Sequence, residues 1–294
     1  MGKATRLTRN GSGWKELNNL FLIITNAYII LPYAFLTQIG VNMKKLLIHV
    51  LTLFAAFSVF SFGSQAGGHG NQISYQVGDK KFAAHMEKAA STSRGTVYII
   101  HDWNGLDDYE KSRAKMLSKL GFDAVAIDLF GVEAKLENRD DYKRETGALY
   151  KNREEFRARI SAAIEAGKAS EANSERIIVM GYCFGGAATL EAARSGLKAD
   201  GFVSFHGGLK TPNGQDYNNT SGPVLLLHGS ADPVSGMEDL ASLINQLKDA
   251  KVPHDAEVFG GARHSFTVQG SRDYDEQADQ KSWDALKRFL ARLG

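Results

Sequence analysis

From Thr96 to the C-terminus, short apolar runs rich in β-branched residues alternate with longer stretches of helical character. That alternation constrains the fold more than any other feature. Strands separated by helices form a parallel sheet, because a parallel neighbour needs a crossover long enough to hold a helix. The strands read as "TVYIIHD" (96–102), "DAVAIDLFG", "RIIVMGY", "DGFVSFHG", "PVLLLHG" and "HDAEVFGG". Several are apolar on both faces, as a sheet covered by helices on both sides requires. Helices are expected near 109–120, 154–166, 185–195, 237–250 and 275–293. Ahead of them, "ISYQV" and "KKFAAHMEKA" flank Gly78-Asp79 and read as a β-hairpin. The charged run "KLENRDDYKRE" (135–145) reads as a solvated helix face, or alternatively as a cap over a site at the strand ends. The region from 67 to 294 holds no repeat or linker and is expected to be one α/β domain.

The first 66 residues are of another kind. "MKKLLIHVLTLFAAFSVFSFGSQA" (43–66) has the basic start, apolar middle and small-residue end of a signal peptide. Residues 1–42 carry a second apolar run and are read as an over-extended N-terminus or an extra apolar segment. The expected location is therefore periplasmic or secreted, with no stable membrane association after cleavage. Residues 1–66 hold six of the 35 Lys and Arg and one of the 33 acids. The region from 67 onward is mildly acidic, which gives no sign of a nucleic-acid partner. One cysteine excludes a disulfide-stapled scaffold. The histidines show no metal-ligand spacing, and no phosphate-cradling glycine loop is present.

That one cysteine lies in Gly181-Tyr182-Cys183-Phe184-Gly185, between a strand and a helix. A nucleophile on a sharp strand-to-helix turn needs small residues two positions to either side. A helix N-terminus also favours a thiolate, and the Phe184 N–H is placed for a developing oxyanion. Asp232 follows the strand "PVLLLHG", and His264 lies in a loop after the last strand. The order nucleophile, acid, histidine is that of α/β-hydrolases. His206 ends a strand and either packs or lines a pocket. His228 reads as a packed residue below the site.

With "GYCFGG", "AIDLFG" (126–131) and "ARHSF", the chain resembles the dienelactone hydrolase family of α/β-hydrolases. The resemblance implies a mostly parallel sheet flanked by helices. It also implies cleavage of a small-molecule ester or lactone through a thioester, with no cofactor. It assigns the triad to Cys183, Asp232 and His264. In "HDWNG" (101–105) it implies that the Trp103 N–H completes the oxyanion hole beside Phe184, with Asp102 as an auxiliary acid. The family's acid at that position is glutamate, one methylene longer. A substrate-binding arginine of the family falls on Val268, and Arg144 or Arg139 is left to supply charge from the cap. Loss of one arginine points to a neutral or differently charged ester. A non-catalytic binding protein on the same scaffold remains open, as does a thiol redox protein, although the latter lacks a resolving cysteine. Oligomeric state is not readable from the sequence.

Overall fold

The structure is a computed structural model that describes residues 71–294. The expected segments 1–42 and 43–66, and the first residues of the domain expected from 67, lie outside the described residues.

Eight strands form one sheet. In chain order they are β1 (Asn71–Val77), β2 (Lys80–Glu87), β3 (Thr96–Ile100), β4 (Asp123–Ile127), β5 (Ile177–Tyr182), β6 (Gly201–Phe205), β7 (Val224–Gly229) and β8 (His254–Phe259). Their spatial order is β1-β2-β4-β3-β5-β6-β7-β8. β1 and β2 form the expected hairpin, and β2 is also antiparallel to β4. Every later pairing is parallel. The helices are α1 (Asp108–Lys119), α2 (Arg139–Lys151), α3 (Arg153–Ala169), α4 (Phe184–Arg194), α5 (Met237–Asp249) and α6 (Glu276–Arg292). The charged run at 135–145 thus enters α2.

The two-residue period of the strands divides the core into two layers. Val97, Ile99, Ile178, Met180, Val203, Leu225 and Leu227 face one cluster. Tyr98, Ile100, Val125, Ile127, Val179, Phe202 and Leu226 face the other. Each fully buried aliphatic side chain contributes about 1.5–3 kcal/mol. Burial on both faces explains why these strands read as continuous apolar runs. β8 is an edge strand and reads differently: Asp255 and Glu257 point outward and pair with Arg292 and Arg288 of α6. Such charges discourage pairing with another chain.

β4 lies on one side of β3, and β5 lies on the other. The strand order therefore reverses around β3, and ligands of open parallel sheets bind outside the strand ends at such a point. The loops after β3 and β5 both start there. Their backbones meet closely. A Cβ on Gly185 would stand 2.1 Å from the carbonyl oxygen of Ile100, and one on Gly181 would stand 2.2 Å from that of Gly185.

α1 fixes the loop after β3. Asp107 caps the helix and Glu110 closes a capping box. One Glu110 oxygen accepts from the Asp107 N–H and the other from the Asp102 N–H, each at 3.1 Å. The capping carboxylate thereby also holds the loop at residue 102. Burial, aided by the Asp107 charge, pushes the Glu110 carboxyl from 4.5 up to about 8.

Gly185→Ala should destabilise the protein by about 3 kcal/mol in chemical denaturation, although Ala in an ordinary helix interior gains about 1 kcal/mol over Gly; an unchanged midpoint would contradict the close crossing. Glu110 governs a pH window. Between 4.5 and about 8, the folded chain holds a proton that the unfolded chain has released. Stability therefore falls as pH rises through that window, and the contribution is lost above it. Glu110→Gln should flatten this slope in urea melts taken across the window; parallel slopes for the two proteins would refute the buried carboxyl's role.

Candidate active site

Cys183 occupies the turn between β5 and α4 with φ 51° and ψ −110°. A non-glycine residue there is strained by roughly 1–3 kcal/mol, and such strain gathers at functional sites. The neighbouring contacts hold it in place. The Cys183 N–H donates to the Phe205 carbonyl at 3.0 Å. The Phe184 ring is buried against His101, Phe130, Phe156 and Tyr150. The Phe184 N–H points toward the sulfur and favours its negative charge.

His264 Nε2 stands 2.9 Å from Cys183 Sγ, and His264 Nδ1 stands 2.7 Å from Asp232 Oδ2. The structure therefore brings together the three side chains expected from the sequence. Asp232 Oδ1 accepts from the N–H groups of Val234 and Ser235. Burial works against the Asp232 charge, but the His264 hydrogen bond and those two N–H groups outweigh it. They hold the carboxyl below its ordinary range. An ionised Asp232 keeps the imidazole proton on Nδ1 and leaves Nε2 facing sulfur.

The sulfur has the opposite balance. Burial pushes the Cys183 thiol well up, and the nearby Asp102 carboxylate adds to this as a negative charge and as a hydrogen-bond partner. Asp102 is itself raised by burial, against the pull of the Trp103 N–H and the thiol. Helix-terminus activation, expected at this elbow, is thus outweighed by desolvation and a like charge. Both effects favour the protonated thiol over the thiolate.

The other expected residues differ in how close they come to the sulfur. Asp102, though shorter than glutamate, lies near enough to the thiol to raise it. The Trp103 N–H, expected to await an oxyanion, donates to Oδ1 of Asp102. The Trp103 ring lies under Arg139, 5.4 Å away, and edge-on to Tyr142 of α2 at 5.3 Å. α2 thus packs beside the site, as the cap reading anticipates. Arg144 is not brought to the thiol. Its guanidinium is held by Asp141, Glu145 and the Lys135 carbonyl. An arginine three residues from an aspartate on one helix pairs locally. Val268 lines a groove with Leu106, Tyr109 and Gln269 on the α1 side.

Three contributors escape a reading of the sequence alone. Glu110 carries a visible signal, the Asp-x-x-Glu spacing ahead of a helix. Tyr150 gives none; burial is the main cause that raises its hydroxyl, and the nearby Asp102 adds to it. Thr267 sits three residues past His264, and its hydroxyl meets His206 and Tyr109.

Comparison with known proteins gives the family and the fold. The model of the dienelactone hydrolase family matches residues 82–294. A solved dienelactone hydrolase-like promiscuous phosphotriesterase from metagenomic libraries is 30% identical, with a TM-score of 0.71 over 76% of this chain and 98% of that one. The carboxymethylenebutenolidase homolog of Homo sapiens is 24% identical over 227 residues, covering 76% of this chain and 89% of that protein. A Saccharolobus solfataricus protein that carries the carboxymethylenebutenolidase name is 27% identical over 234 residues, covering 67% of this chain and 89% of that one. With its eight-stranded sheet and these relatives, the chain has the α/β-hydrolase fold and belongs to the dienelactone hydrolase family.

Proposed function

We propose that this protein hydrolyses a carboxylic ester or lactone through an acyl group carried on Cys183. The observation that carries the reading is the position of His264, within hydrogen-bond reach of both sulfur and carboxylate. As the sulfur attacks the acyl carbon, its proton passes to His264 Nε2 and the carbonyl electrons move onto oxygen. The tetrahedral species collapses, and the departing alkoxide takes that proton. Water then attacks the thioester while His264 accepts its proton, and the thiol is restored. Because burial and Asp102 favour the protonated thiol, attack and proton transfer to His264 proceed together.

The oxyanion rests on the Phe184 N–H and on the Trp103 N–H. Each donor contributes roughly 3 kcal/mol to the transition state. The second is engaged by Asp102 at rest, so the carboxylate must release it as the substrate carbonyl enters. Asp102 therefore acts as a brake on the resting thiol.

The surroundings favour a neutral or differently charged ester, with Arg139 over the Trp103 ring as the cation at hand. Trp103, Tyr142 and Tyr150 supply aromatic surface, Val268 is apolar, and the Arg144 charge is already neutralised by carboxylates. On the strength of residues 43–66, the proposed place of action is the periplasm or the exterior.

Cys183→Ala should abolish turnover of activated aryl esters; full retained activity would refute the acyl-enzyme. No turnover by the unaltered protein would favour a binding role on the hydrolase scaffold. Asp102→Asn removes a charge that keeps sulfur protonated. Its Cys183 should react faster with iodoacetamide at neutral pH than the unaltered protein. A slower reaction would make Asp102 a base that generates thiolate.

A further inference from the structure

His206 is fully buried directly after β6, with a positive φ of 37°. Among the described residues, Cys183, His206 and Ser265 are three of only five non-glycine residues with positive φ, and all three lie around the candidate site. One ring nitrogen of His206, Nε2, stands 2.8 Å from the Thr267 hydroxyl. The other, Nδ1, finds no partner among the described residues. The His206 ring meets that of His264 edge-to-face at 5.4 Å, and that of Phe266 at 5.1 Å.

Thr267 is held from three directions. Its hydroxyl lies between His206 Nε2 and the Tyr109 hydroxyl, the latter at 2.6 Å. Its carbonyl accepts from Arg113 Nη2 at 2.9 Å, and the same nitrogen reaches Asp279 of α6 at 2.7 Å. All these partners are distant in sequence, so the loop at 264–268 is tied at once to β6, α1 and α6. His264 is in that loop. Its own two nitrogens are used by sulfur and by Asp232, which leaves the ring's tilt to be set by packing.

We propose that His206 is a positioning residue: through the Thr267 hydroxyl and its edge-to-face contact, it holds the His264 loop and aims the imidazole at Cys183. This role rests on the hydrolytic reading above. The unusual backbone angle suits it, because the chain turns at the strand end and delivers the ring beneath His264. An unpartnered buried nitrogen is costly by itself. A phenyl ring would fill the same space without that cost, so a ring kept only for packing has no need of nitrogen.

Burial, with the Arg113 guanidinium adding to it, holds the His206 imidazole well below its ordinary value and favours its neutral form. A neutral ring beside His264 does not oppose the imidazolium that forms during turnover.

The test compares His206→Phe, His206→Gln and Thr267→Val with His264→Ala and the unaltered protein. Two readouts are taken: kcat and KM on activated aryl esters, and the rate of iodoacetamide alkylation of Cys183 as a function of pH. His206→Phe and Thr267→Val should lower kcat by up to about 100-fold, the loss expected of a misplaced catalytic group. KM should change far less. Their alkylation profiles should move toward that of His264→Ala. His206→Gln, whose amide extends as far as Nε2 and can still meet the Thr267 hydroxyl, should recover much of the loss. Thr267→Val is nearly isosteric and decides the matter if His206→Phe does not fold. Folded variants with wild-type kcat and alkylation profiles would overturn the proposal, as would a loss confined to KM. If the unaltered protein hydrolyses no ester, the acyl-enzyme reading fails, while the alkylation profiles still decide whether His206 aims His264.

Discussion

The crossing of two backbones at the centre of the sheet governs the arrangement of everything around it. Gly185 lies so close to the Ile100 carbonyl that no side-chain carbon fits between them. The nucleophile turn after β5 and the loop after β3 are therefore one packed unit rather than two neighbouring loops. Cys183 sits above this crossing on one side, and Asp102 and Trp103 extend from it on the other. The meeting of thiol, carboxylate and backbone donor is a consequence of the missing side chain. The histidine and its carboxylate come from the far side of the sheet, on loops that β7 and β8 deliver.

The parts readable from the sequence are those with a local signature. Period-two apolar runs mark the strands, and their continuity marks burial on both faces. Glycines at fixed offsets mark the turn around Cys183, and chain order marks Asp232 and His264. The parts that are not readable depend on distant contacts. Thr267 meets Tyr109 across 158 positions and His206 across 61; no spacing rule connects them. The engagement of the Trp103 N–H depends on one rotamer of the preceding residue. Arg144 suggests itself as a binding residue because its charge is visible in the sequence. Which way it faces on α2 is not, although Asp141 three positions earlier is a clue to its local pairing.

The electrostatics of the site follow from desolvation more than from helix dipoles. Cys183, Asp102 and Glu110 are all pushed up chiefly by burial. Asp232 is the exception, because His264 and two backbone N–H groups outweigh the same penalty. The site thus combines a carboxylate held toward its ionised form with a sulfur held toward its neutral form.

Sulfur kept in that form is also protected. Peroxides and other mild oxidants attack the thiolate, and the first step toward sulfenic acid is slow when the proton stays in place. A thiol that keeps its proton spends little time in the vulnerable form. The same carboxylate that raises the thiol gives the chain's one cysteine durability against oxidants.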